Sequence, residues 1–90
     1  MKNNIKNRIL SHFANGNTLS VRNMYLVSIS NVSREIRRNF EDTHNITCNR
    51  RKVNWNFQGT SGYFFEYSID PSDMEKVKKI REDLINSNLK

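Results

Sequence analysis

Residues 18–40, TLSVRNMYLVSISNVSREIRRNF, hold two apolar stripes at helical spacing with Ser28-Ile29-Ser30 set between them. No other stretch limits the fold as strongly, because two short helices joined by so tight a turn must cross steeply over one shared core. In the first helix Thr18 is placed to cap, and Leu19, Val21 and Met24, with Leu26 or Val27, turn inward. In the second Ser30 is placed to cap, Val32, Ile36 and Phe40 fall at i, i+4 and i+8, and Ile29 plugs the turn. That stripe is narrow. Asn31, Arg34, Glu35 and Arg38 are left on the opposite face, with Ser33 and Arg37 on its flank.

Upstream, Ile5, Ile9, Leu10 and Phe13 form the stripe of an earlier helix, which Asn15-Gly16-Asn17 stops with residues that tolerate a left-handed backbone. After Glu41-Asp42 the apolar period changes to two. Ile46 and Cys48 share one face of a strand, and Val53, Trp55 and Phe57 alternate with Lys52, Asn54 and Asn56. The parity slip between Cys48 and Val53 predicts a bulge or bend at residues 49–52, which would gather Arg50, Arg51 and Lys52. Gln58-Gly59-Thr60-Ser61-Gly62 predicts a five-residue turn into a return strand carrying Tyr63, Phe65, Tyr67 and Ile69. The expected hairpin has an aromatic face in the core and a polar face, with Phe64 on the polar side. Asp70-Pro71 opens a last helix over residues 71–87, with Asp70 as N-cap, Pro71 at N1 and Met74, Val77, Ile80, Leu84 and Ile85 as its stripe. That stripe can pack on the domain or on a second copy.

Ninety residues make one domain with a small core. Mean hydropathy is low at -0.79, yet nine aromatic residues supply the large buried areas that a small fold needs. The net charge of +6 is unevenly spread. Ten lysines and arginines against three acids leave +7 before residue 66, and five against six leave -1 after it, with no acid before Glu35. One basic face meeting a polyanion leaves such a footprint.

Several classes are set aside. Cys48 is the one cysteine, so no disulfide closes within the chain and a reducing, cytoplasmic setting is expected. His12, His44 and Cys48 are too few and too scattered for a zinc site, and no cofactor is expected. No paired carboxylates, nucleophile with a base, or glycine-rich phosphate loop is present, so an enzyme is not expected. Apolar runs are too short to span a bilayer. Residues 1–13 are basic and amphipathic enough to imitate a membrane-surface helix, but their spacing suits a bundle helix.

Helix, helix, turn, helix, hairpin is the order of the winged helix-turn-helix domain. The stretch VSISNVSREI at residues 27–36, with NITCNRRKV at residues 45–53, resembles the small helix-turn-helix proteins of phages and prophages, over residues 5–69. The resemblance implies an α+β winged helix-turn-helix domain: a three-helix core, a β-hairpin wing and an additional C-terminal helix. It implies that Asn31, Ser33, Arg34 and Arg37 meet the major groove of double-stranded DNA and that Arg50, Arg51 and Lys52 on the wing meet its backbone or minor groove. Arg38 and Asn54 join them as candidate contacts, arginine for guanine or phosphate and asparagine for base edges.

The expected function is duplex DNA binding by a phage or prophage regulator of transcription or recombination in the bacterial cytoplasm. The C-terminal helix is a candidate dimer interface. Two departures from the family pattern stand out, and the second, at Asn31 and Glu35, gives weight to an alternative. Ser28 stands where the family often has glycine, and Asn31 and Glu35 stand where basic residues are frequent, so the helix is less cationic than its relatives. The alternative is an inhibitor or adaptor, anti-CRISPR-like, that turns the same fold against a host nucleic-acid-processing protein.

Overall fold

Helix α1 (Ile5–Ala14) begins where the Asn4 side chain accepts from the Asn7 N–H, and it buries Ile9, Leu10 and Phe13, the stripe its spacing predicts. The computed structural model describes residues 4–88. Among them, three helical segments and an antiparallel hairpin share one core, an α+β architecture. The apolar stripe of α1 is turned to that core, with Ile5 packed against it, and residues 1–3 of the basic amphipathic stretch lie outside the described residues. No helix among the described residues is long and apolar enough to cross a membrane.

The helix expected from Thr18 is shorter. The Thr18 carbonyl accepts from Asn23 Nδ2 at 2.8 Å and lies 2.6 Å from His12 Nε2, while Leu19 exchanges backbone hydrogen bonds with Tyr67 at 2.9 and 2.8 Å as an isolated antiparallel bridge. Asn23 Oδ1 also takes the Ser20 N–H. Short polar side chains thus offer this backbone partners that compete with a helical ladder, and only a single 3₁₀ turn, Met24–Val27, forms. Leu19 and Val27 are buried as expected, but Val21 and Leu26 face solvent.

Ser28 ends that turn at φ 56°, ψ 49°, adopting the left-handed conformation usually left to glycine. The next cap is Asn31, not Ser30: its Oδ1 accepts from the Arg34 N–H at 3.0 Å. The central helix then runs through residues 32–44 as Val32–Ile36 in α form, Arg37–Glu41 in π form and Asp42–His44 in α form, until Asn45 turns left-handed at φ 56°. Val32, Ile36 and Phe40 are buried, and the Phe40 ring stands edge-on to Phe13 at 5.0 Å and to His44 at 5.4 Å. In the wide turn the Arg38 carbonyl accepts from Thr43 Oγ1 at 3.0 Å.

Strands β1 (Asn49–Phe57) and β2 (Thr60–Ser68) pair without interruption from Asn49↔Ser68 to Phe57↔Thr60, so the expected bulge is absent. The parity slip has another source: Ile46 and Cys48 are buried but precede the strand. The turn has two residues, not five. Gln58 and Gly59 both take positive φ, 50° and 79°, the backbone of the primed turns whose twist matches paired strands. Among the described strand residues Tyr67 alone is buried, and nine residues per strand reach roughly 30 Å, which helps draw the molecule out to 56 × 26 × 20 Å.

Asp70 caps the last helix as expected, accepting from the Ser72 N–H at 2.9 Å, and Pro71–Asp73 forms a 3₁₀ turn before Met74–Asn88. Hydrogen bonds from the Ser72 backbone and hydroxyl, then from Asn49, hold the Asp70 carboxyl below its usual range. Val77 is buried, and Met74, Ile80 and Leu84 pack against the core, so most of this stripe is used within the chain; Ile85 stays exposed.

Candidate nucleic-acid interface

Two contacts fix the hairpin beside the central helix. Tyr67 Oη donates to Ser33 Oγ at 3.1 Å, and Arg50 reaches the Glu41 carboxylate at 3.1 Å, two turns further along. The second oxygen of Glu41 accepts the Cys48 N–H at 2.8 Å, which locks the approach to β1. Ser33 and Glu41 lie on the flank that also carries Arg37, by helical spacing.

The ladder register decides which strand residues join this side, because partners across an antiparallel pair share a face. Arg50, Lys52, Asn54 and Asn56 face the same way as Tyr67, Phe65, Tyr63 and Ser61. That surface holds two cations and no carboxylate. The other holds Arg51, Val53, Trp55 and Phe57 with Glu66, Phe64, Gly62 and Thr60.

The three expected cations are therefore not one cluster. Arg50 and Lys52 point with Tyr67 toward the central helix side, while Arg51 points away and pairs with Glu66 at 2.8 Å. A continuous strand alternates its side chains, so three consecutive residues share a face only at a bulge, and none is present. Arg50 lies over the Tyr67 ring at 5.3 Å and Lys52 over Tyr63 at 4.3 Å. Asn54, exposed, sits across from Tyr63.

On the helix, Arg34, Arg37 and Arg38 are exposed. Arg34 leans on Glu35 at 3.3 Å; among the described residues neither Arg37 nor Arg38 has an ion-pair partner. Asn31 uses its oxygen as the helix cap, which leaves its amide NH₂ as the group able to meet a ligand. Ser33 is engaged by Tyr67.

The aromatic side chains correct the expectation most. The rings do not form one buried face: Trp55 and Phe57 lie opposite Tyr63 and Phe65, and Phe57, Tyr63 and Phe65 are 68, 58 and 43% exposed. Phe64, half-buried, packs under the Arg22 guanidinium at 4.9 Å. An open groove of about 340 Å³ runs between the start of the central helix and β2, lined by Asn31, Val32, Ser33, Tyr63, Phe65 and Tyr67 among others. Counting pairs outward from Gln58-Gly59 would have placed these rings, since a two-residue turn sets Trp55 opposite Gly62.

Burial pushes the Cys48 thiol up to about 12, with Glu41 adding to the effect, so it stays protonated and inert. Among the described residues no three His, Cys, Asp or Glu side chains stand together to hold a metal ion. Compared with protein-family models, curated proteins and solved structures, the chain matches none.

Proposed function

We propose that this chain is a double-stranded DNA-binding protein of winged helix-turn-helix build, acting as a phage or prophage regulator of transcription or recombination in the bacterial cytoplasm. The observation that carries the reading is the pairing of two basic surfaces: Arg34, Arg37 and Arg38 on the central helix, and beside it the ribbon face that carries Lys52 and, held to Glu41, Arg50. The left-handed Ser28 corner and the Leu19↔Tyr67 bridge, which adds a third extended segment to the hairpin, also support it. On this reading the central helix enters the major groove, the ribbon tracks the adjacent backbone, and the asparagines and arginines read base edges. A symmetric dimer on the C-terminal helix would build on Ile85.

The test is a salt titration of binding to a blunt duplex. With about five to seven phosphates neutralised, log K falls against log salt with a slope near -5. A flat line overturns the proposal.

One observation favours a second reading, a protein-directed inhibitor or adaptor. Tyr25 and Leu26 stand side by side on the 3₁₀ turn, 71 and 58% exposed, with Val21 at 52%. Co-purification of a host protein through these residues, without measurable duplex binding, would select it.

A further inference from the structure

We propose that the ribbon face carrying Tyr63 and Phe65 is a stacking platform for unpaired nucleobases, so that the protein prefers DNA in which a few unpaired bases adjoin a duplex. The inference rests on the DNA-binding reading and names the form of DNA.

Folding gives these rings little reason to be where they are. Each is left about half exposed on a two-stranded ribbon that has no second layer over it, and they touch one another edge-on at 5.7 Å. Tyr67, two positions on, is buried and packs the same face to the body of the protein, so the face turns from core contact to open surface within two residues. Large rings held open on a rigid strand are what a stacking site needs, because every base offers an aromatic face whatever its sequence.

The surroundings select a nucleic acid over a protein. Lys52 holds its ammonium 4.3 Å from the Tyr63 ring, where it can move to the phosphate of the nucleotide whose base takes its place. Asn54 and Asn56 follow on the same face, and no carboxylate does. The groove beside the rings is lined by Val32, Asn31 and Ser33 as well, so a base entering it meets both apolar atoms and hydrogen-bonding groups. It opens next to the basic helix, which places the unpaired base directly beside the duplex that helix holds. The opposite ribbon face lacks this combination, since its cation Arg51 is neutralised by Glu66.

The test compares a blunt 20-base-pair duplex with the same duplex bearing a six-thymidine tail, at one salt concentration, by fluorescence anisotropy. The tailed DNA should bind about tenfold tighter. Tyr63→Ala and Phe65→Ala should return it to the blunt level with blunt binding unchanged, and Tyr63→Phe should keep the preference. Because both rings are exposed, the alanine variants should melt near the wild-type temperature; a variant that unfolds is replaced by Tyr63→Leu, which keeps bulk and removes the ring. Equal affinity for both DNAs overturns the inference and leaves duplex binding standing. Loss of a protein partner in Tyr63→Ala, with tail preference intact, also overturns it and makes the ribbon a protein contact. Failure to bind either DNA overturns the duplex-binding reading itself.

Discussion

Tyr67 and Ser33, 34 residues apart, are joined by a hydrogen bond of 3.1 Å that ties the base of the hairpin to the first turn of the central helix. Arg50 lies over the same Tyr67 ring and reaches Glu41, so one buried tyrosine sits at the junction of both basic surfaces. The angle between helix and ribbon depends on this junction, and any ligand that bridges the two meets it already set.

Tyr67→Phe keeps the ring and its burial and removes the hydroxyl. It should cost about 1 kcal/mol, or roughly 4–8 °C in melting temperature for a domain of this size. Ser33→Ala should cost a similar amount, and the double variant should cost little more than either single change. Thermal melts of the four proteins decide it; strict additivity would mean that the two groups are not coupled.

Trp55 lies across Gly62, its partner in the ladder: a Cβ added at Gly62 would come within 2.7 Å of the indole Cζ2. Gly62→Ala must push the ring off the strand, at about 1 kcal/mol. Trp55 is the one tryptophan, so its emission reports the move directly. A red shift with the fold retained is expected, and an unchanged spectrum would contradict the stacked arrangement.

Ser28 carries a left-handed backbone that costs an L-residue about 1 kcal/mol or more and glycine far less. Ser28→Gly should therefore raise stability by about 0.5 kcal/mol after the glycine's greater freedom in the unfolded chain is set against it. Denaturant midpoints at fixed slope measure this; a loss of stability would show that the corner depends on the serine side chain.

The opposite facing of neighbouring cations makes a contrast. Lys52→Ala should weaken duplex binding and make the salt slope shallower by about one, since one phosphate contact is lost. Arg51→Ala, which removes a residue on the far face already paired with Glu66, should leave both nearly unchanged. Equal losses in the two variants would mean that the ribbon does not present a single face to DNA.

Helical faces were legible from spacing because a helix on a core repeats its contacts locally: Ile9, Leu10 and Phe13, then Val32, Ile36 and Phe40, are all buried. The Asp70-Pro71 start was legible for the same reason, being complete within three residues. The hairpin was legible as two paired strands, but its facing was not, because parity was anchored on Ile46 and Cys48, which lie outside the strand. Alternation predicts a shared face, but not that a second layer covers it; Tyr63 and Phe65 share a face with Tyr67, and of the three only Tyr67 is buried. Spacing points to Ser30 as the cap although Asn31 makes the bond, because serine and asparagine are both strong cap formers.

His44 should make the protein's stability depend on pH just below neutrality. Its ring stands edge-on to Phe40, half-buried, and Nε2 has no hydrogen-bond partner. Burial, and then the charge of Lys6, hold its pKa below the 6.5 of an open chain. The unfolded chain therefore binds more protons between that lowered value and 6.5, and stability rises with pH across the window. The stabilisation is complete above about 6.5 and declines as the solution is acidified through the window, whereas that of the depressed Asp70 carboxyl is present above its ordinary 3.8 and is lost only below it. Melting temperature should thus fall between pH 7.5 and pH 5, and His44→Gln should flatten that part of the profile. Lys6→Ala should shallow it in part, because it removes the smaller of the two causes. A wild-type profile that is level from pH 7.5 to pH 5 would mean that the imidazole is as well solvated in the folded protein as in the unfolded chain.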